Sequence, residues 1–190
     1  MKKGLLIVYS GLSGVGKGTI LKQLMPMEDL NLAYSVSMTT RAPREGEVDG
    51  VDYFFVTKKR FLQAVRNGEL LEHARFVEND YGTPKDYVEK MREEGKNVIL
   101  EIEIRGAKQV MKKCPDALSI YIVPPSIEEL ERRLRERSTE DEETILKRVA
   151  KARREMKDTA IYEHIVCNDD LDTAVQEVRQ IILDEMNKEE

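Results

Sequence analysis

The segment from Gly11 to Lys17 constrains this chain more than any other. It reads G-L-S-G-V-G-K and fits the pattern G-x-x-x-x-G-K, between the apolar run Leu5–Ser10, a predicted strand, and Lys17–Met25, a predicted helix. Glycines let such a loop turn, so that its backbone N–H groups and the dipole of the following helix form a cradle for phosphate. The sequence therefore predicts a P-loop, with Lys17 reaching the β- and γ-phosphates of a nucleotide. A strand-to-helix turn without a ligand is the alternative, and the matched context argues against it.

The rest of the chain alternates β-rich runs with charged segments of helical period, which is typical of an α/β fold with a parallel sheet. Within Ser126–Arg137, Ser126 and Glu129 form a capping box at a helix start. A final amphipathic helix is expected after Asn168-Asp169-Asp170. The other predicted elements are the strands Asn97–Ile102, Leu118–Val123 and His164–Cys167 and the helix Arg105–Lys113.

The middle of the chain, about 35–86, has shorter strand-like pieces and more turn residues. Strands are predicted at Tyr53–Val56 and Leu70–Phe76, with a helix at Lys58–Asn67 between them. We interpret this stretch as a subdomain inserted on the substrate side, not as a separate folding unit.

Composition excludes several classes of function. The formal net charge of −5 disfavours binding to nucleic acid, so an anion must be held by local positive charge. The apolar run Leu5–Tyr9 is too short to cross a bilayer or to serve as a secretory signal. We therefore expect a cytoplasmic protein without a membrane or nucleic-acid partner. Cys114 and Cys167 are expected to be reduced thiols, and neither His73 nor His164 has the spacing of a metal site.

A second signature occupies residues 37–47, which read S-M-T-T-R-A-P-R-E-G-E, with D-G-V-D-Y at 49–53. It resembles the S-x-T-T-R-x-x-R-x-G-E…G-x-D-Y segment of guanylate kinases, and the resemblance extends over essentially the whole chain. It implies transfer of the γ-phosphate of ATP to GMP, and to dGMP, giving ADP and GDP with Mg²⁺ as cofactor. It also implies a three-layer P-loop kinase core (1–34, 87–134 and 158–190), a GMP-binding subdomain (about 35–86) and a helical lid (about 135–157).

The same resemblance assigns the acceptor phosphate to Arg41, Arg44, Tyr53 and Tyr81. Planar guanidinium groups suit this role, because two of them offset the charge of a phosphate dianion and fix its direction. Two solvated arginines in a surface turn are the alternative explanation.

The guanine base is assigned by resemblance to Glu72, with Ser37, Gly82 and Thr83 beside it. A carboxylate can only accept hydrogen bonds, and guanine offers N1–H and the 2-amino group side by side. Adenine presents a bare N1 acceptor there and leaves the carboxylate unpaired, so Glu72 discriminates between the two bases. Taken alone, Glu72 would be a solvated surface acid.

Glu101 and Glu103 end the predicted strand Asn97–Ile102, at the edge where open α/β sheets bind ligands. The family usually shows E/D-x-D here, so Glu103 is longer by one methylene. By this match Glu101 is a group on the substrate or Mg²⁺ side, and we place both acids among the GMP-binding residues. Pairing with nearby arginines is the structural alternative.

On the ATP side Gly18 replaces the usual Ser or Thr after the P-loop lysine, and Thr19 follows. The ending G-K-G-T is familiar in nucleoside monophosphate kinases, and it predicts that Mg²⁺ is held mainly by phosphate oxygens and water. Asn168 and Asp169 match the turn beside the adenine, although a helix N-cap explains them almost as well. The predicted ATP-binding residues are Gly11, Leu12, Ser13, Gly14, Val15, Gly16, Lys17, Gly18, Thr19, Arg137, Asn168 and Asp169.

The lid arginines follow from the family pattern R-x-x-R-G-T-E, in which Ser138 replaces the glycine. By that match Arg137 covers the ATP, and Arg148 lies near the transferred phosphoryl group. The acceptor oxygen is already ionised, so catalysis is expected to be positioning and charge stabilisation by Lys17, Arg41, Arg137 and Arg148. The subdomain at 35–86 and the lid are expected to close over the substrates.

Two rival functions are compatible with the overall resemblance. A catalytically inactive binding module of this family would grip phosphopeptides, but such modules are usually parts of longer chains and tend to lose the P-loop lysine or lid arginines. A kinase for another phosphorylated acceptor, such as a ribose bisphosphate, would lose the guanine-reading residues. Lys17, Arg148 and Glu72 are all present. The enzyme is expected to be a monomer or a homodimer.

Overall fold

A computed structural model describes residues 2–76, 78–136 and 141–188. The strands among them are β1 (Leu6–Gly11), β2 (Leu32–Tyr34), β3 (Met38–Thr39), β4 (Phe54–Phe55), β5 (Leu70–Phe76), β6 (Asn79–Pro84), β7 (Asn97–Glu101), β8 (Leu118–Val123) and β9 (His164–Cys167). The helices are α1 (Lys17–Leu24), α2 (Lys58–Arg66), α3 (Lys85–Glu93), α4 (Ile104–Lys113), α5 (Ile127–Glu136), α6 (Glu142–Glu155) and α7 (Leu171–Lys188). Short 3₁₀ helices occupy Glu28–Leu30 and Met156–Ile161.

The predicted α/β architecture with a parallel sheet is confirmed. Five strands form this sheet in the hydrogen-bonded order β2-β7-β1-β8-β9. Leu6, Ile7 and Val8 of β1 are fully buried, and so is almost all of β7 and β8. Such continuous apolar runs are typical of strands covered on both faces, which explains why they could be found from the sequence.

The chain divides into two compact units. The first unit comprises Met1–Val8 and Ala33–Ala117, and the second comprises Tyr9–Leu32 and Leu118–Glu190, so that β1 begins in one and ends in the other. The predicted division into core, GMP-binding subdomain and lid stays a prediction.

The first unit contains a second, four-stranded sheet in the order β4-β3-β6-β5. Met38 of β3 pairs with Gly82 of β6, and Gly82 in turn pairs with His73 of β5. This register brings the motif that begins at residue 37 beside the segment 81–83. Met38, Phe61, Ala64 and Leu70 form the small core beneath the sheet.

In the second unit β8 and β9 pair in parallel, with Ile120 opposite His164. The predicted start of α5 is confirmed, because the backbone N–H of Glu129 donates to the Ser126 hydroxyl at 3.0 Å. Asp141 caps α6 in the same way, accepting from the N–H of Thr144 at 2.7 Å. No helix in the described ranges has the length and apolar character that a membrane span requires.

Several elements were not predicted individually, among them β2, β3, β6 and α3. β2 and β3 contain three and two residues, too few for a periodic pattern to identify. β6 includes Gly82 and Pro84, which are uncommon inside strands. These strands exist because their partners pair with them, and local sequence does not encode that pairing.

Candidate active site

The predicted P-loop leaves β1 and enters α1 with the backbone bent as the motif requires. Gly16 is the N-cap of α1 with φ 96° in the left-handed region, and a Cβ there would lie 2.6 Å from Nδ2 of Asn168. Both the conformation and the close approach therefore demand glycine. The Lys17 ammonium donates to the carbonyl oxygens of Gly11 at 2.9 Å and Leu12 at 3.0 Å, which holds the charge over the loop.

Asn168 ties the turn after β9 to the P-loop. Its buried side-chain amide donates to the Val15 carbonyl at 2.8 Å, and its backbone N–H donates to Val123 at 2.8 Å. The N-cap explanation of Asn168 is wrong, because Asp170 caps α7 by accepting from the N–H of Thr173 at 2.9 Å. Asn168 therefore fixes the shape of the nucleotide cradle.

Arg133 of α5 holds the same turn from the other side. Its guanidinium donates to the backbone oxygens of Asn168 at 2.7 Å and Asp169 at 3.3 Å, and to Glu129 at 2.8 Å. A cavity of about 390 Å³ opens between these groups. It is lined by Gly14, Val15, Gly16, Thr19, Arg133, Glu136, Asn168, Asp169 and Leu171. Four of the nine predicted ATP-binding residues at 11–19 thus share one cavity with the predicted adenine turn, while Gly11, Leu12, Ser13, Lys17 and Gly18 do not line it.

Of the two predicted lid arginines, the structure describes only Arg148. Arg137 lies outside the described residues. Arg148 lies in α6 and is half-buried on the helix face that carries the buried Ile145, Val149 and Ala152. An arginine on the inward face of a helix is held in place by its neighbours more firmly than one on the solvent face. Its predicted role beside the phosphoryl group stays a prediction.

A second cavity, of about 200 Å³, lies in the first unit. It brings together the predicted acceptor residues Ser37, Tyr53, Thr83 and Glu101. Its lining residues are Tyr34, Ser35, Ser37, Asp52, Tyr53, Thr83, Leu100, Glu101 and Ile102. Hydroxyl and carboxylate groups dominate the set, which suits a ligand rich in hydrogen-bond donors.

Glu72 lies in β5 with only 5% of its surface exposed. Its Oε1 accepts from the Thr83 hydroxyl at 2.7 Å. Burial raises the pKa of Glu72, while the hydrogen bond from Thr83 and the charge of Lys113 oppose that rise. Lys113, the last residue of α4, donates to the carbonyls of Leu70 at 3.0 Å and Leu71 at 2.7 Å.

Gly106, in the first turn of α4, provides the space for the Glu72 carboxylate. A Cβ at Gly106 would lie 2.6 Å from Glu72 Oε2 and 3.1 Å from its Cδ. The carboxylate therefore packs directly against the backbone of this helix. Any larger residue at Gly106 must displace it.

Arg41 is held in a well-defined position at the acceptor side. Its two terminal nitrogens donate to the Glu47 carboxylate at 2.9 and 2.7 Å, and Nη1 also donates to the Ala42 carbonyl at 2.8 Å. The guanidinium lies 5.3 Å from the ring centroid of Tyr53 and 5.7 Å from that of Phe55. The hydrogen bond to Glu47 raises the pKa of Arg41, and the same contact lowers the pKa of Glu47 to about 2.

The other predicted phosphate-binding residues lie near this pair. Tyr53 and Tyr81 meet edge to face, with ring centroids 6.0 Å apart, and Tyr81 interacts with the guanidinium of Arg41. The backbone N–H of Arg44 donates to Glu47 at 2.7 Å, while its side chain is exposed. The structure therefore brings the side chains of Arg41, Tyr53 and Tyr81 together, and it ties the Arg44 backbone to the same ion pair through Glu47.

The two acids after β7 have different surroundings. Glu101 accepts a hydrogen bond from the Tyr34 hydroxyl at 3.2 Å, and burial together with this carboxylate raises the pKa of Tyr34. Glu103 is the N-cap residue of α4, and its backbone oxygen accepts from Ala107 at 2.9 Å. The partner found for Glu101 is thus a tyrosine and not the arginine that the structural alternative proposed.

The guanylate kinase profile matches residues 3–185. The chain belongs to the guanylate kinase family. It is 51% identical over 183 residues to a guanylate kinase of Mesoplasma florum, a match that covers 96% of this chain and 62% of the relative. It is 50% identical to a guanylate kinase of Bacillus cereus, covering 97% and 90% of the two chains. This chain therefore spans about three fifths of the first relative's length and nearly all of the second.

A solved guanylate kinase from Anaplasma phagocytophilum has the same fold. The two structures superpose with a TM-score of 0.73 at 33% sequence identity, over 97% of this chain and 87% of the other. The family resemblance and the α/β fold expected from the sequence are therefore confirmed.

Guanylate kinases are nucleotide kinases that generally use Mg²⁺ with ATP. Among the described residues no group of three or more His, Cys, Asp or Glu side chains could hold a metal ion. Gly18 also lacks a hydroxyl. A cation that arrives bound to nucleotide phosphates needs neither, because Mg²⁺ keeps several waters and binds substrate phosphates.

Five residues that contact the candidate site residues were missed as functional candidates: Tyr34, Glu47, Gly106, Lys113 and Arg133. Two of these residues could have been identified from the sequence. Glu47 is the last letter of the family motif, and Gly106 is a glycine inside a helical pattern, which usually has a packing or functional reason. Lys113 and Arg133 look like ordinary solvated charges until the structure shows what they contact.

Proposed function

We propose that this chain transfers the γ-phosphate of ATP to GMP, giving ADP and GDP. Its place in the guanylate kinase family supports the reaction, and the buried Glu72 carries the choice of acceptor. A carboxylate that is 5% exposed needs hydrogen-bond donors, and the Thr83 hydroxyl supplies one of them. Guanine supplies two more from N1–H and the 2-amino group.

The acceptor is a monophosphate because the cationic end of the site is small. Arg41 and Arg44 contribute two positive charges, and Glu47 offsets one of them. Tyr53 and Tyr81 add hydroxyl donors beside this pair. That arrangement suits one phosphate group whose free oxygen is already ionised and can act as the nucleophile without a general base.

The donor nucleotide binds the P-loop, with its adenine against the turn of Asn168 and Asp169. The ammonium of Lys17 leaves the loop carbonyls that it contacts and binds the β- and γ-phosphates. Mg²⁺, bound through phosphate oxygens and water, neutralises part of the triphosphate charge. Arg137 and Arg148 supply the remaining donors, and donors fixed this way are commonly worth ~3 kcal/mol each in the barrier.

The same site accepts dGMP, because no predicted contact of the base or phosphate involves the 2′-hydroxyl. The products enter purine nucleotide metabolism in the cytoplasm. The protein works as a monomer or a homodimer, without nucleic acid or membrane as a partner.

The test is ADP formation from Mg-ATP with GMP, dGMP, AMP, CMP and UMP as separate acceptors. We expect turnover with GMP and dGMP only, and loss of turnover in Lys17→Ala. If ATP binds but no monophosphate is phosphorylated, the enzyme assignment is wrong. Phosphopeptide binding and phosphorylated sugar acceptors would then be measured to test the two rival functions.

A further inference from the structure

Glu47 joins the two arginines of the acceptor-phosphate site. Its Oε1 and Oε2 accept from Nη2 and Nη1 of Arg41 at 2.7 and 2.9 Å, a two-pronged ion pair. Oε2 also accepts from the backbone N–H of Arg44 at 2.7 Å. One carboxylate therefore fixes a guanidinium three residues from a second one, within a loop that has no regular secondary structure.

The contacts of Glu47 decide which edge of Arg41 is left for a ligand. A guanidinium has five N–H donors in a fixed plane. Glu47 takes one from each terminal nitrogen, and the Ala42 carbonyl takes a second from Nη1. The donors outside these three bonds belong to the edge formed by Nε and Nη2, and Tyr81 also interacts with the guanidinium. The rings of Tyr53 and Phe55 limit rotation of the group, since they lie 5.3 and 5.7 Å from it.

The charges of this pair persist over the pH range in which enzymes are assayed. The hydrogen bonds from Arg41 and from the Arg44 backbone lower the pKa of Glu47 to about 2. The side chains of Arg41 and Glu47 are 14% and 19% exposed, so water and salt reach the pair only in part. The ion pair thus persists as a fixed element of the loop.

We propose that Glu47 is the positioning residue of the acceptor-phosphate site, orienting Arg41 and the Arg44 backbone so that both guanidinium groups meet the phosphate of the acceptor nucleotide. This inference rests on the proposed function. Glu47 itself does not contact the phosphate, because like charges repel. It acts through Arg41, by removing the rotational freedom that the arginine would otherwise lose on binding.

The test compares Glu47→Gln with Glu45→Gln. Both changes remove one negative charge from the same loop, but Glu45 is exposed and serves as the matched control. Gln places an amide N–H₂ opposite a guanidinium N–H, so the fork is broken while the size is kept. We expect Kd and KM for GMP to rise about tenfold or more in Glu47→Gln, because hydrogen bonds between charged groups are lost. Glu45→Gln should stay within about twofold of wild type.

Two further readouts separate positioning from general damage. Kd for Mg-ATP and the thermal midpoint should be unchanged in Glu47→Gln, and kcat at saturating GMP should fall much less than kcat/KM. Guanosine, which lacks the phosphate, should inhibit wild type and Glu47→Gln with the same Ki. A loosened subdomain would weaken guanosine as well, and that result would overturn the inference.

The remaining outcomes are equally decisive. Unchanged GMP affinity in Glu47→Gln overturns the inference, as does a gain in affinity, which would mean that Glu47 competes with the phosphate for Arg41. A wild-type protein that fails to phosphorylate GMP refutes the proposed function itself. That failure is distinguishable, because it appears before any variant is made.

Discussion

Gly106→Ala should damage guanine binding without damaging the fold. The added Cβ would lie 2.6 Å from Glu72 Oε2, whereas ordinary van der Waals contact begins at 3.4 Å. The carboxylate must therefore move by about 0.8 Å, and it cannot do so without stretching its 2.7 Å hydrogen bond to Thr83. A misplacement of about 1 Å in a binding group can cost about 10²-fold, so we expect kcat/KM for GMP to fall by about 10²-fold.

The free energy of unfolding should hardly change in Gly106→Ala. Alanine is favoured over glycine inside a helix by about 1 kcal/mol, which offsets the strain of displacing Glu72. The free energy of unfolding from urea titration should therefore stay near the wild-type value. KM for Mg-ATP should also be unchanged, because the P-loop residues lie in the second unit.

The assay is coupled ADP formation with each substrate varied in turn, run beside the unfolding titration. Lys112→Ala, at an exposed position of the same helix, is the control and should match wild type for both substrates. If folded Gly106→Ala keeps kcat/KM for GMP within about threefold of wild type, the exact position of the Glu72 carboxylate does not control turnover of GMP, and the prediction is wrong.

Three more predictions concern other contacts described above. Glu72→Gln should lower kcat/KM for GMP by about 10²-fold, because the amide group of Gln turns an N–H donor toward the N–H donors of guanine. Kinetics with GMP concentration varied measure this effect, and retained GMP activity would contradict the prediction. Burial raises the pKa of Glu72, so GMP binding is complete above that pKa and is lost as the pH falls through it. Lys113→Met removes a positive charge that opposes this rise, so the acid limb of the pH profile of kcat/KM for GMP should shift to higher pH. An unshifted acid limb would show that Lys113 does not influence the pKa of Glu72. Arg133→Ala should raise KM for ATP about tenfold and leave KM for GMP unchanged, because the turn at Asn168 loses the hydrogen bond from the Arg133 guanidinium. Equal effects on KM for both substrates would indicate general unfolding instead.

Much of the secondary structure could be predicted from the sequence. Leu118–Val123, His164–Cys167 and Leu70–Phe76 are strands with the predicted bounds, and α1 and α2 end within one residue of their predictions. Apolar runs and helical period report on local burial, and they are strong in these segments. The P-loop could also be recognised, because its glycines are required by the backbone of the loop itself.

Candidate residues on the acceptor side came from the family motif and not from periodicity. The motif pointed to Arg41, Arg44 and Tyr53, and the structure places Arg41 and Tyr53 beside Tyr81, with the Arg44 backbone tied to Glu47. It did not show that Glu47 holds the arginines in place. A carboxylate next to arginines in a sequence has many partners available, and only the folded loop selects one.

The P-loop turn, the strands and helices with strong apolar or helical period, and the residue types of the predicted acceptor site could all be read from the sequence. The tertiary structure alone decided which of these side chains meet. Glu72 on β5 reaches Thr83 on β6 and the backbone of Gly106 on α4, and Arg133 on α5 reaches Asn168. Strand register and helix packing set these contacts. Both depend on residues far apart in the chain, whereas local backbone preferences and hydrophobic period act over only a few residues.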